Sequence, residues 1–290
     1  MKTFYIFLLI IFLLFHQSIF ASNDQTEIPI ASYFWNTSVI NIELQNLKLP
    51  MQFDLGDTGT SIDLFDYVFA KILAIPTHAK DCSVDIHEVK VCRQHYIISQ
   101  MKIGDFVVSH IDTRVMDKMG GNIRGEENPP IKKIKEIQGI VGLGLLIKNN
   151  FGVLIDYPEN KIILTKNSRV PRGVHLSQWI KIPFEPGDGV VTSALISNQP
   201  IKLLWDTGGH SAVLLSERNR FLRPSICGKR ACDKATINLS SSTQEQSSAE
   251  FFVWQIDFPF VDAFVGYEFF KTHKVFINFR DKNIFIKQIA

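Results

Sequence analysis

One pattern occurs twice in this chain of 290 residues, and it limits the fold more than any other feature. The first copy reads Phe53-Asp54-Leu55-Gly56-Asp57-Thr58-Gly59, at the end of an apolar run that starts at Leu49. The second reads Trp205-Asp206-Thr207-Gly208-Gly209-His210-Ser211, after a run that starts at Ile201. Both runs have β character and stop at an aspartate, with a glycine two residues on. The surroundings repeat too. Residues 37–44 read as a strand, 45–48 as a turn and 49–53 as the returning strand; residues 189–196, 197–200 and 201–205 do the same. Each half closes with an apolar pair and a glycine, Ile140-Val141-Gly142 and Phe264-Val265-Gly266, then a short helix and a hairpin over 154–164 or 276–286. Two copies of so long a unit predict two similar, mainly β lobes rather than a solenoid. The expected division is a lobe over 23–168, a linker around 166–173 and a second lobe over 173–290. Residues 23–30 are expected to be loose, and the polar stretches 120–130 and 238–250 to be surface loops.

Residues 1–22 predict a cleaved secretory signal: Lys2, an apolar run over 4–15, then small residues at 18–22. That run is short for a bilayer span, and no later segment has the length and apolarity for one. Export implies an oxidising compartment, so Cys82, Cys92, Cys227 and Cys232 are expected in disulfides. Each close pair follows one aspartate motif, which favours Cys82–Cys92 and Cys227–Cys232 among the possible pairings. The alternative for the first pair is zinc, with His87 and His95 as further ligands. Their spacing fits no common zinc template, so no metal is expected. The charge is nearly balanced, 31 basic against 29 acidic residues, which excludes a broad nucleic-acid surface. Lys132, Lys133 and Lys135 read as a solvated loop. Asn36-Thr37-Ser38 and Asn238-Leu239-Ser240 match the glycosylation acceptor pattern.

Folding the two lobes about a pseudo-twofold axis brings the strand-ending aspartates together. Two carboxyls that close cannot both ionise readily, so they share one proton. The charged member can take a proton from a water between them, while the protonated member polarises a substrate carbonyl. No serine or cysteine nucleophile is needed. His210 and Ser211 do not complete a Ser-His-Asp triad with Asp206, because neighbours on an extended chain point apart.

On these residues the chain resembles the aspartic proteases, retropepsin-like or pepsin-like, with both lobes fused in one chain. The resemblance rests on Asp206-Thr207-Gly208, the Asp54/Asp57 motif, and the apolar segments ending at Gly142 and Gly266. It covers almost all of the chain after the signal. It implies an exported, secreted or periplasmic, monomeric endopeptidase with an extended peptide or protein substrate and no cofactor. As catalytic residues it implies Asp206 with Asp54 or Asp57, supported by Gly56, Thr58, Gly59, Thr207, Gly208, Gly142 and Gly266.

The first copy allows two alignments. Matching Asp57-Thr58-Gly59 to Asp206-Thr207-Gly208 keeps the literal motif and sets Leu64-Phe65 against Val213-Leu214. It also puts Asp54 and Gly56 inside a buried strand, where both are poor choices. Matching Asp54 to Asp206 needs no gap in the hairpin: Leu49 meets Ile201, Met51 meets Leu203 and Phe53 meets Trp205. The upstream strand leans to Asp54, Thr58 keeps Asp57 open, and the loser is expected to be a turn residue. Gly209 and His210 replace the small Ser or Ala residues usual in the family, and no glycine-rich flap is evident. Tyr96 is read as a structural tyrosine, with a flap position as the alternative. The rival function is a non-catalytic peptide- or protein-binding relative that kept the cleft. Leu49, Met51, Phe53, Leu203, Trp205, Val141 and Val265 are expected to be buried.

Overall fold

The computed structural model describes residues 23–84, 90–116, 136–187, 189–196, 199–214, 234–239, 248–254 and 261–289. The signal, the stretch 120–130, His87, Lys132, Lys133, Lys135 and the Cys227–Cys232 pair lie outside the described residues. The first half holds β1 (Gln25–Phe34), β2 (Thr37–Leu44), β3 (Leu47–Asp54), β4 (Ile62–Phe65), α1 (Asp66–Phe69), β5 (Ile75–Val84), β6 (Lys90–Ile103), β7 (Phe106–Met116), β8 (Gly139–Gly142), α2 (Leu143–Lys148), β9 (Gly152–Asp156) and β10 (Lys161–Thr165). The second holds β11 (Ile180–Pro183), β12 (Glu185–Gly187), β13 (Gly189–Ile196), β14 (Gln199–Trp205), β15 (Ala212–Leu214), β16 (Lys234–Asn238), β17 (Ser248–Trp254), β18 (Ala263–Val265), α3 (Tyr267–Phe270), β19 (His273–Asn278) and β20 (Asn283–Gln288).

The fold is mainly β and aspartic-protease-like. β2, β3, β8, β4, β7 and β6 follow one another and close into a barrel, because β6 also pairs with β2. β13, β14, β18, β15, β17 and β16 repeat that order and close through β13 and β16. In each barrel the strand leading to the aspartate runs parallel to the apolar-pair strand. Phe53 lies beside Val141, and Trp205 lies beside Val265.

The two halves also build one sheet together, in the order β11, β20, β19, β9, β10, β1. Leu154 stands opposite Phe276, with Ile155 opposite Val275 and Val153 opposite Ile277. Leu154 and Phe276 are equivalent positions of the repeat, so the pseudo-twofold axis passes between them.

Residues 25–30, expected to be loose, are instead part of β1. Thr26, Ile28 and Ile30 turn inward while Glu27 and Pro29 are exposed. The strand is long because it serves two partners, β10 over its first half and β2 over its second, with an irregularity between Ile30 and Ser32. Strand alternation places the expected core residues correctly. Leu49, Met51, Phe53, Leu203, Trp205, Val141 and Val265 are all buried, none more than 3% exposed. The Trp205 indole N–H donates to Thr192 Oγ1 at 3.0 Å, which satisfies its one polar atom.

Cys82 and Cys92 face each other across β5 and β6 and are joined as a disulfide. The bond occupies both sulfurs, so these thiols cannot ligate zinc. Tyr96 lies on the same hairpin, with its ring edge-on to Phe69 at 4.6 Å. The disulfide closes a loop with a sequence separation of 10. In the chain-entropy model a loop that short contributes about 2–3 kcal/mol. Replacing both cysteines by serine should lower Tm by roughly 5–10 °C in scanning calorimetry. An unchanged Tm would mean that the hairpin is restrained by other contacts. Among the described residues, no helix is long and apolar enough to cross a membrane.

Candidate active site

The strands β3 and β14 run out at the same place, and the two loops are built alike. Gly56 N–H donates to Asp54 Oδ1 at 2.8 Å, and Gly208 N–H donates to Asp206 Oδ1 at 2.7 Å. Each aspartate thereby caps the turn that follows it. The two carboxyls are partly buried and come together across the loops, that of Asp206 against Gly56 and that of Asp54 against Gly208. Only glycine permits this approach. A Cβ on Gly56 would lie 2.7 Å from the Asp206 carboxyl, and one on Gly208 would collide with the Asp54 carboxyl. Thr207 ties the loops together: its hydroxyl donates to Phe53 C=O at 2.8 Å and accepts from Leu55 N–H at 3.0 Å. The tie is one-sided, because Leu55 is fully buried and carries no hydroxyl to return it.

Both sequence alignments hold, each on its own side of the loop. Upstream, Phe53 and Trp205 are counterparts. Downstream, Leu64 opposite Gly139 matches Val213 opposite Ala263. Ten residues lie between Phe53 and Leu64 and seven between Trp205 and Val213, so the first loop is three residues longer. Asp57 C=O accepts from Leu143 N–H at 2.7 Å as Gly209 C=O accepts from Tyr267 N–H at 2.9 Å, which makes Asp57 the counterpart of Gly209. The literal Asp-Thr-Gly of the first half therefore runs into the extra loop, where Thr58 and Gly59 are exposed. Asp54 is the aspartate placed against Asp206. Asp57 turns instead to Arg114, whose Nη2 lies 3.3 Å from its Oδ1. It lies in the loop, where its Oδ1 faces Gly59 N–H two residues on as a turn aspartate's does, and it is also a member of a charged cluster. Gly142 and Gly266 sit beneath the two loops, each at the start of a short helix.

Burial is the main force on all three carboxyls. It raises Asp54 well above the ordinary range, and the Asp206 charge adds to this, while N–H groups of Gly56 and Asp57 oppose it. Burial also raises Asp206, offset by hydrogen bonds from Asp54, Gly208 N–H and Gly56 N–H. Both members are thus raised, and the proton they hold belongs to the pair. Tyr157 stands near enough to feel both charges. Burial raises its phenol, whose O–H is 3.1 Å from Ser38 Oγ.

In the second half of the chain, Glu268 receives Ser211 N–H at 2.7 Å and contacts His210 Nδ1 at 2.6 Å. Asn36, in the turn between β1 and β2, reaches His210 Nε2 at 3.4 Å. Ser211 is buried, and its hydroxyl accepts from Gly266 N–H at 2.9 Å, so it serves the backbone and not a triad. Sequence reasoning does not single out Arg114, Asp63 or Glu268. Asp63 carries a usable signal: a charge inside the apolar run Ile62-Asp63-Leu64-Phe65 must find a partner if buried. Among the described residues, no group of three or more His, Cys, Asp or Glu is placed to hold a metal ion.

No protein-family model and no curated protein matches the sequence. The fold has a solved counterpart in the crystal structure of aspartic proteinase from Irpex lacteus. The two superpose with a TM-score of 0.58 over 92% of this chain and 98% of that one, at 11% identity. At that identity the likeness shows the fold and leaves the chemistry to the residues.

Proposed function

We propose that the chain is an exported aspartic endopeptidase that hydrolyses peptide bonds through Asp54 and Asp206. The approach of the two carboxyls at matching strand ends, each against the other loop's glycine, carries this reading. The ionised member of the pair takes a proton from a water held between them. The protonated member lends its proton to the substrate carbonyl oxygen, and the water oxygen bonds to the carbonyl carbon. The newly protonated carboxyl then gives its proton to the amide nitrogen while the other carboxylate takes one from a hydroxyl of the tetrahedral intermediate; the C–N bond breaks, acid and amine leave, and the pair again holds one proton. Thr207, Gly56 and Gly208 hold the two loops close enough for one proton to be shared. The substrate is an extended peptide lying between the lobes 23–168 and 173–290 of a monomer. Export rests on the apolar leader over 4–15 and on the Cys82–Cys92 disulfide.

The test is cleavage of a mixed peptide library by the mature protein from acid to neutral pH. New amino termini, greatest on the acid side, are expected. Leu55, which lacks the hydroxyl that Thr207 supplies, is the observation on the side of a non-catalytic relative. A folded protein that binds peptides and cleaves none at any pH would establish that rival.

A further inference from the structure

The longer first loop sets a charged cluster against Asp54 that its counterpart loop does not have. Arg114 on β7 grips Asp63 on β4 through Nε at 3.1 Å and Nη2 at 2.7 Å. Thr60 donates to the same carboxylate at 2.5 Å. The Arg114 Nη2 that holds Asp63 also reaches Asp57 Oδ1, at 3.3 Å. Gly59 N–H makes a second long contact with that oxygen, at 3.4 Å. Asp57 Oδ2 is buried and has no hydrogen-bond partner. Asp57 follows Asp54 by three residues in this loop, and its charge acts on Asp206 as that of Asp54 acts on Asp57. At the counterpart position the second lobe has Gly209, with no side chain.

The bidentate geometry of the guanidinium goes to Asp63, the favoured arrangement for such a pair. An ionised Asp57 would leave one buried oxygen uncompensated, which is costly. Asp57 is therefore the member of the cluster that keeps a proton. The groups facing it are Asp54 at the end of β3, Asp206 after β14, Asp63 on β4 and Arg114 on β7. From β8 and α2 it meets the backbone at Gly142 and Leu143, which brings no titratable side chain.

We propose that Asp57 is a positioning residue whose charge sets how firmly the Asp54–Asp206 pair keeps its shared proton. This rests on the aspartic-protease reading and deepens it. Burial, with Asp63 and Asp54 adding and Arg114 opposing, pushes Asp57 up to about 7. As pH rises and Asp57 ionises, its new negative charge opposes a second negative charge on the pair. The pair then holds its proton to higher pH.

Asp57→Asn tests this, since Asn keeps the size and the Oδ1 acceptor for Arg114. The basic limb of the kcat/KM profile should move about one pH unit lower, as expected for loss of a nearby like charge. The acid limb should stay, because Asp57 is neutral there. Carbon-13 NMR titration of the aspartate carboxyls gives a readout that needs no activity. The resonance titrating near neutral pH should vanish in Asp57→Asn, and the last ionisation of the pair should fall. If the wild-type protein cleaves nothing, this titration still decides the inference, so the two readings fail separately. An unmoved last ionisation, or an Asp57 already ionised in acid, would overturn it. Should Asp57→Asn not fold, Asp57→Ser enters the same titration with the same expected shift.

Discussion

Asp206→Asn should lower kcat/KM by about ten-thousand-fold or more, the upper range for losing a positioned acid or base. The fold should survive, because Asn still offers Oδ1 to Gly208 N–H, the 2.7 Å bond that shapes the loop. What disappears is one of the two carboxyls that must share the proton. Asp54→Asn should be equally inactive, since an amide can neither take a proton from water as a carboxylate does nor share one with Asp206. Asp57→Asn should behave differently, cleaving at acid pH and failing earlier as pH rises. Circular dichroism and peptide hydrolysis on the three variants check this set. Hydrolysis that survives Asp206→Asn would remove the mechanism. A dead Asp57→Asn beside an active Asp54→Asn would reassign the first-lobe residue.

Gly208→Ala should cost at least about a hundred-fold in kcat/KM, the scale expected when reacting groups are displaced by an ångström. The added methyl would collide with the Asp54 carboxyl and push apart the pair that must share a proton. The loop cannot easily retreat, because Gly208 N–H is held by Asp206 and Thr207 is tied to both Phe53 and Leu55. Gly56→Ala should be milder, since its methyl would meet the Asp206 carboxyl at 2.7 Å. Steady-state kinetics with circular dichroism on both variants separates a displaced pair from an unfolded chain. Wild-type activity in Gly208→Ala would mean that the carboxyls need not approach so closely.

Much of the architecture is legible in the sequence because a strand with one buried face writes its burial as alternation. Phe53 and Trp205, Met51 and Leu203, and Val141 and Val265 match by their places in the repeat alone, and all are buried. The hairpins over 154–164 and 276–286 match in the same way. Their meeting in one sheet is not legible, because pairing between distant strands leaves no local trace. The extent of β1 is hidden for a related reason: neither β2 nor β10 alone accounts for its whole length.

The choice between Asp54 and Asp57 shows where the boundary falls. By itself the sequence determined both alignments, one reading forward from the hairpin and the other back from Leu64. Only the tertiary structure showed that each is correct on its own side, because strand pairing at Gly139 and Ala263 counts the residues in between. A loop insertion does not disturb the alternation of the strands around it, so the pattern carries no record of its position. The partner of a buried charge is likewise a matter of distance in space. Asp63 announced that it needed one, but that the partner is Arg114, and that the same guanidinium also reaches Asp57, was decided by the packing of β7 beside β4.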